Sequence, residues 1–145
     1  MRMNIKLDER QLYLRGNAFK HGFILMGLLL LFDAFFKSEG ITLVEGMWGN
    51  ILIVLLAAAI CEIELIIKGA LDFEDRSNTI PLLIIGILGF VLLIWDIIEL
   101  FVYDYRLFID NTLSKHGAML LINITWIAVA IIFIIKKRSL DYTDE

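Results

Sequence analysis

Five carboxylates stand inside stretches that are otherwise apolar: Asp33, Glu62, Glu64, Asp96 and Glu99. An ionised side chain at the centre of a bilayer costs at least about 2.5 kcal/mol, so each of them calls for a partner or a role. Asp96 and Glu99 are three residues apart and share a helix face, with Tyr103 one turn further on. Asn123 opens the sequence Asn123-Ile124-Thr125, which matches a glycosylation sequon. In the middle of an apolar run that amide is expected to make interhelical hydrogen bonds instead. At a common depth, Asp33, Asp96, Glu99 and Asn123 would converge into one polar layer, the candidate ligand- or ion-binding site. Such a layer would repel itself, or bind a cation, a cationic peptide or a basic side chain of a partner.

Local pairing is the competing explanation. Lys37 follows Asp33 by four residues and Lys68 follows Glu64 by four, the favourable helical spacing. Arg106 would serve Glu99 in the same way. Glu62 is about 200° around the helix from Glu64 and has no basic partner on its own helix. It is the secondary candidate, expected to pair across helices with Lys20 or Arg15, or else to carry a proton or an ion.

Other chemistry has no footing. The sequence lacks a Ser/His/Asp arrangement, a phosphate loop and a nucleic-acid-binding pattern. His21 and His116 fall on opposite sides of the topology derived below, and Cys61 is the single cysteine, so no metal set and no cofactor are expected. The reading is not an enzyme.

What must position these groups follows from composition. Of the 145 residues 59% are apolar, against about 45–50% in a soluble domain. The excess is gathered into four blocks at about 18–36, 47–67, 80–103 and 117–135, each near the roughly 20 residues that cross the hydrocarbon as a helix. The expected fold is all-α, a four-transmembrane-helix bundle in a single integral membrane domain, 1–145, with no stretch left for a soluble catalytic module. Asp8, Glu9 and Arg10 before the first block, and Asp33 closing it, argue against a cleaved signal peptide.

Local signals mark the ends. Ser77, Asn78 and Thr79 offer N-cap side chains before Ile80, and Pro81 is expected at an opening position where its missing N–H costs nothing. Trp48, Tyr103 and Tyr105 suit an interfacial belt, whereas Trp95 and Trp126 are expected to pack. The segment 5–16 is expected as a solvated extension of the first helix. Gly86 and Gly89, with Ala57, Ala58 and Ala59, form small-residue patches for close helix packing, within the bundle or between copies.

Two alignments suggest duplication: Leu29-Leu30-Leu31-Phe32-Asp33 with Leu92-Leu93-Ile94-Trp95-Asp96, and Ile66-Ile67-Lys68 with Ile134-Ile135-Lys136. Both acid-rich exits follow, at 71–75 and 140–144. The halves would then be parallel helical-hairpin repeats about an axis along the membrane normal; chance alignment of apolar runs is the rival explanation.

The opening Asp8-Glu9-Arg10-Gln11, with Ala18 just before the first apolar block, resembles small uncharacterised multi-span membrane proteins from low-GC Gram-positive bacteria. The resemblance covers about fifteen residues and the hydropathy profile. It implies an accessory, sensing or immunity role and transfers no site residues. Two functions therefore compete. One is a non-enzymatic membrane accessory protein, a regulator, sensor or immunity-type partner, whose acidic layer meets a cationic ligand or a protein partner. The other is a small cation or proton-coupled transporter or channel. The bilayer, a protein partner or a second copy are the expected partners, and no nucleic acid is.

Orientation follows from charge. With the N-terminus inside the cell membrane, Arg2, Lys6, Arg10, Arg15, Lys20, Lys68, Arg76, Lys136, Lys137 and Arg138 lie on the cytoplasmic side, ten of the thirteen basic residues. Only Lys37, Arg106 and Lys115 remain outside, beside Glu39, Glu45, Asp104 and Asp110. An even number of spans brings the C-terminus inside as well. Single cysteines introduced as Ile5→Cys or Tyr142→Cys should resist a membrane-impermeant maleimide in intact cells, and labelling of either from outside would reverse this topology.

Overall fold

In the computed structural model four helices account for most of the described residues: α1 (Glu9–Ser38), α2 (Trp48–Ile67), α3 (Arg76–Val102) and α4 (Lys115–Asp141). The structure describes residues 8–71 and 76–141, with 76–78 and 141 described by their backbone alone. Each helix is long and apolar enough to cross a membrane. The reason is the one the composition carries: in lipid every backbone N–H and C=O has to be satisfied within the segment, and a helix does that. The chain is an all-α four-helix bundle with the character of a multi-pass membrane protein.

Several boundaries differ from the sequence-based ones. α1 starts at Glu9, so residues 9–16 are the first turns of the same rod. α3 starts at Arg76, which makes Pro81 the sixth residue of the helix rather than an opening one. The hydrogen bond that an N–H there would give to the carbonyl of Ser77 is therefore missing from the ladder. The capping side chains of Ser77 and Asn78, the acidic exit at 72–75, its counterpart at 142–145, and Arg2 and Lys6 lie outside the described residues.

α1 packs on α2, α2 on α4 and α4 on α3, while α1 and α3 share no comparable contact. The order α1–α2–α4–α3 maps onto itself when the two hairpins are exchanged, which is the arrangement a parallel repeat would produce. One core cluster, Ala59, Ile66, Leu82, Val129 and Phe133, joins α2, α3 and α4. A second, Ala18, Cys61, Leu65 and Ala70, joins α1 to the end of α2.

Small residues set the approach of the helices. Gly86 faces Ala130 so closely that a Cβ would collide with it, and Gly89 lies against the backbone of Asn123. This glycine pair thus serves the α3/α4 contact inside the bundle. Gly22 serves α1/α2, where a Cβ would come within 3.0 Å of the Cys61 Cβ. α1 and α2 both end in a glycine with positive φ, Gly40 at 76° and Gly69 at 65°. After each glycine the next amide, of Ile41 and of Ala70, turns back to the carbonyls of Phe36 and Leu65, closing the helix ends.

The connector between α3 and α4 holds a feature absent from the sequence-based expectation. Phe108–Ile109 (β1) and Thr112–Leu113 (β2) pair antiparallel around Asp110 and Asn111, both at positive φ. Two such residues are what a tight two-residue hairpin turn requires. Leu113 also bridges to Val44 in the α1–α2 connector, with the Glu45 amide donating to the Leu113 carbonyl and the Leu113 amide to the Leu43 carbonyl, each at 2.9 Å. The end of the bundle carrying this cap is called the hairpin end below, and the opposite one the terminal end.

Gly86→Ala should lower stability in detergent by about 1–2 kcal/mol through overpacking against α4. Gly27→Ala, in open space on α1, should be neutral or raise stability by up to about 1 kcal/mol through helix propensity. Equal effects of the two changes in a reversible unfolding assay would contradict the α3/α4 contact described.

Candidate functional site

Asp96 and Asn123 face each other across α3 and α4. Both are buried, and the Asn123 amide nitrogen donates to Asp96 Oδ2 at 2.7 Å. The close approach allowed by Gly89, two turns away on the same face, sets this reach. A carboxylate inside a span thereby gains an interhelical donor.

One turn further along α3, Glu99 collects a different set. The indole N–H of Trp95 donates to Glu99 Oε1 at 2.8 Å, and His116 Nδ1 lies 3.5 Å from Glu99 Oε2. The His116 ring stacks on Tyr105 with centroids 4.0 Å apart, and Tyr105 in turn neighbours Tyr103 at 5.8 Å. Glu99 is therefore a carboxylate walled by aromatic rings, and its side chain stays 24% exposed. Arg106, the expected partner, is not among its contacts. The histidine takes that place because Ser114 caps α4 and turns the residue after next toward α3. The Ser114 hydroxyl accepts from the Gly117 amide at 3.2 Å and donates to the Arg106 carbonyl at 2.7 Å.

Asp33 has other company. It is buried, with Lys37 Nζ donating to Oδ2 at 2.6 Å, and Gly49 at the start of α2 lies beside its other oxygen. Asp96, Glu99 and Asn123 thus share the α3/α4 seam with His116, whereas Asp33 belongs to the α1/α2 seam. The helix order explains the division, since α1 and α3 are the two flanks of the row. Each acid has its own partner, and the four groups do not form one shared chelating layer: among the described residues no three His, Cys, Asp or Glu side chains come together in a way that could hold a metal ion.

At the terminal end, Glu64 pairs with Lys68 on its own helix and with His21 Nδ1 of α1 at 2.8 Å. Arg15 does not reach Glu62. Its Nε donates to the Ala70 carbonyl at 2.9 Å, and Glu62 forms no hydrogen bond or ion pair among the described residues. Glu62 instead lines two adjoining cavities, one between α1 and α2 and one under the start of α3.

Trp95, Tyr105 and His116 at Glu99 were not candidates on sequence grounds. Trp95 was expected to pack, yet it is 59% exposed and serves as a donor. Its four-residue spacing from Glu99 was the available signal. His116 carries none, because its approach to Glu99 depends on how the hairpin-containing connector between α3 and α4 folds.

No protein-family model matches the sequence, and no curated protein and no solved structure is detectably similar to it.

A double-mutant cycle of Asp96→Ala and Asn123→Ala should return a coupling of about 0.6–1.7 kcal/mol, the range of interhelical hydrogen bonds in membranes. Asp33→Ala and Asp96→Ala should instead add to within about 0.5 kcal/mol, as independent sites do. Strong coupling between the two aspartates would restore the single acidic layer.

Proposed function

We propose that this chain is a non-enzymatic membrane accessory protein, a regulator, sensor or immunity-type partner, that engages a cationic ligand or a basic segment of a partner at the hairpin end. The positive-inside bias would place that end outside the cell and both termini in the cytoplasm. The observation that carries the reading is the setting of Glu99: a partly exposed carboxylate held by Trp95 and His116, with Tyr105 stacked behind and Tyr103 exposed beside it. A carboxylate next to aromatic faces is the chemistry that recognises ammonium or guanidinium groups, by charge and by the ring quadrupole together. Glu39 and Asp104 are exposed at the same end, which adds to its acidic character, and Lys37 is engaged with Asp33.

The competing reading is a small cation or proton-coupled transporter or channel, and Glu62, without an ion pair among the described residues, is the observation in its favour. Against it stands the filling of the seam between α2, α4 and α3 by the apolar side chains of Ala59, Ile66, Leu82, Val129 and Phe133.

The test is photocrosslinking in intact cells, with a benzoylphenylalanine in place of Tyr103. Adducts should form with the full chain, and their yield should fall about tenfold in Glu99→Gln, which keeps hydrogen bonding but loses charge, and stay unchanged in Glu39→Gln. A yield indifferent to Glu99→Gln sinks the proposal. In proteoliposomes a proton or sodium gradient should decay no faster than in protein-free vesicles; a flux abolished by Glu62→Gln would replace this reading with the transporter.

A further inference from the structure

A furrow runs along α1 and α2 on the side where α3 does not cover them. Its walls are Phe19, Phe23 and Met26 of α1 and Val54, Ala57 and Ala58 of α2, with Gly22 and Cys61 at its floor and Glu62 at its end; its volume is about 390 Å³. Beyond Glu62 it adjoins a second cavity of about 250 Å³, lined by Arg15, Phe19, Leu71, Pro81, Leu82 and Ile85. Phe19 and Glu62 border both, so the two are successive compartments of one path.

The chemistry along this path is ordered. Arg15 is tied by Nε to the carbonyl of Ala70, three residues past the last residue of α2, which leaves its two terminal amino groups to other acceptors at the membrane boundary. Glu62 lies five residues inside that end, roughly 7 Å deeper at about 1.5 Å per residue. The two opposite charges line one cavity, yet no ion pair joins them among the described residues. Below Glu62 the furrow is apolar, a single seam lined by residues of the directly packed α1 and α2 alone. From the boundary inward the order is cation, hydrogen-bond acceptor, apolar slot.

We infer that the furrow binds a single-chain phospholipid with a free glycerol hydroxyl, its phosphate on Arg15, its hydroxyl donating to Glu62 and its acyl chain between α1 and α2. A lysophospholipid carries those three groups in that order. A diacyl lipid has an ester where the hydroxyl would be and a second chain with no slot, and a fatty acid has no phosphate. The inference is independent of the Glu99 site, which lies at the other end of the bundle.

Native mass spectrometry of the full-length protein, released from detergent in the presence of 1-palmitoyl-lysophosphatidylethanolamine, tests it directly. One lipid should be retained per chain, and retention should fall about tenfold in Arg15→Gln and in Glu62→Leu, each removing one charged hydrogen bond. Ala58→Phe, at an exposed wall position outside the core, should abolish retention while the helical content and the Tm stay unchanged. Cys61 at the floor locates the ligand, because the bound lipid should slow its reaction with N-ethylmaleimide. Equal retention of the analogue lacking the glycerol hydroxyl, of dipalmitoyl-phosphatidylethanolamine or of palmitate would overturn the proposal in favour of an ordinary lipid-facing surface. Retention unaffected by Ala58→Phe, or no retention at all, would overturn it as well.

Discussion

Between the two helical hairpins there is one extended joint, the packing of α2 against α4, and the rest of the molecule hangs from it. In lipid this joint gains nothing from hiding apolar surface from water, because the surrounding tails are as apolar as the side chains. It has to be made by close packing, and the residues at it are suited to that: Ala59 and Ile66 of α2 meet Val129 and Phe133 of α4, all essentially inaccessible. At the hairpin end the joint leaves the apolar layer and is reinforced by another kind of contact. Leu52, Ala118 and Leu113 pack together with Val44 and Trp48, and the connectors exchange backbone hydrogen bonds above them. The Glu45 carboxylate also accepts from the Lys115 amide at 3.2 Å, at the positive end of α4.

Much of this architecture can be read from the residues alone, because length and hydropathy decide it. The four apolar blocks, the pairing of Asp33 with Lys37 and that of Glu64 with Lys68 depend only on spacing along one helix. The parts that escape the reading are those in which two segments distant in sequence decide a local outcome. Helix α3 begins four residues before Ile80 because the rod projects past the apolar stretch, and hydropathy is blind to polar helical turns. The β-hairpin was announced only by Asp110 and Asn111, a turn signal between runs of two residues, too short to read as strands. Glu99 could be assigned a charged neighbour by proximity in sequence, Arg106, but the capping of α4 by Ser114 delivers His116 instead. The separation of Asp33 from Asp96 follows from the order of the helices around the joint, and nothing in the two apolar runs specifies that order.

The polar groups inside the spans follow a common pattern with one exception. Asp33, Glu64, Asp96 and Glu99 each have a donor within reach, and no buried side-chain nitrogen or oxygen among the described residues lacks a hydrogen-bond partner. Satisfied groups of this kind orient helices, since rotating any of them would strand a donor and an acceptor in hydrocarbon. Glu62 departs from the pattern because it fronts cavities, where a ligand or water can take the place of a protein donor.

The bond between the two connectors has a consequence for how the molecule comes into being. Thr112 Oγ1 donates to the Thr42 carbonyl across a separation of 70 residues, and Leu113 and Glu45 are joined in the same strand-like contact. During synthesis the segment around Val44 emerges with one face of its backbone unsatisfied, and its complement is made only after α3 has been threaded. A chain truncated before residue 112 would hold three helices, with an open backbone edge above the first two. The late hairpin therefore acts as a seal of completion: its arrival turns the earlier connector from an exposed peptide into a closed lid.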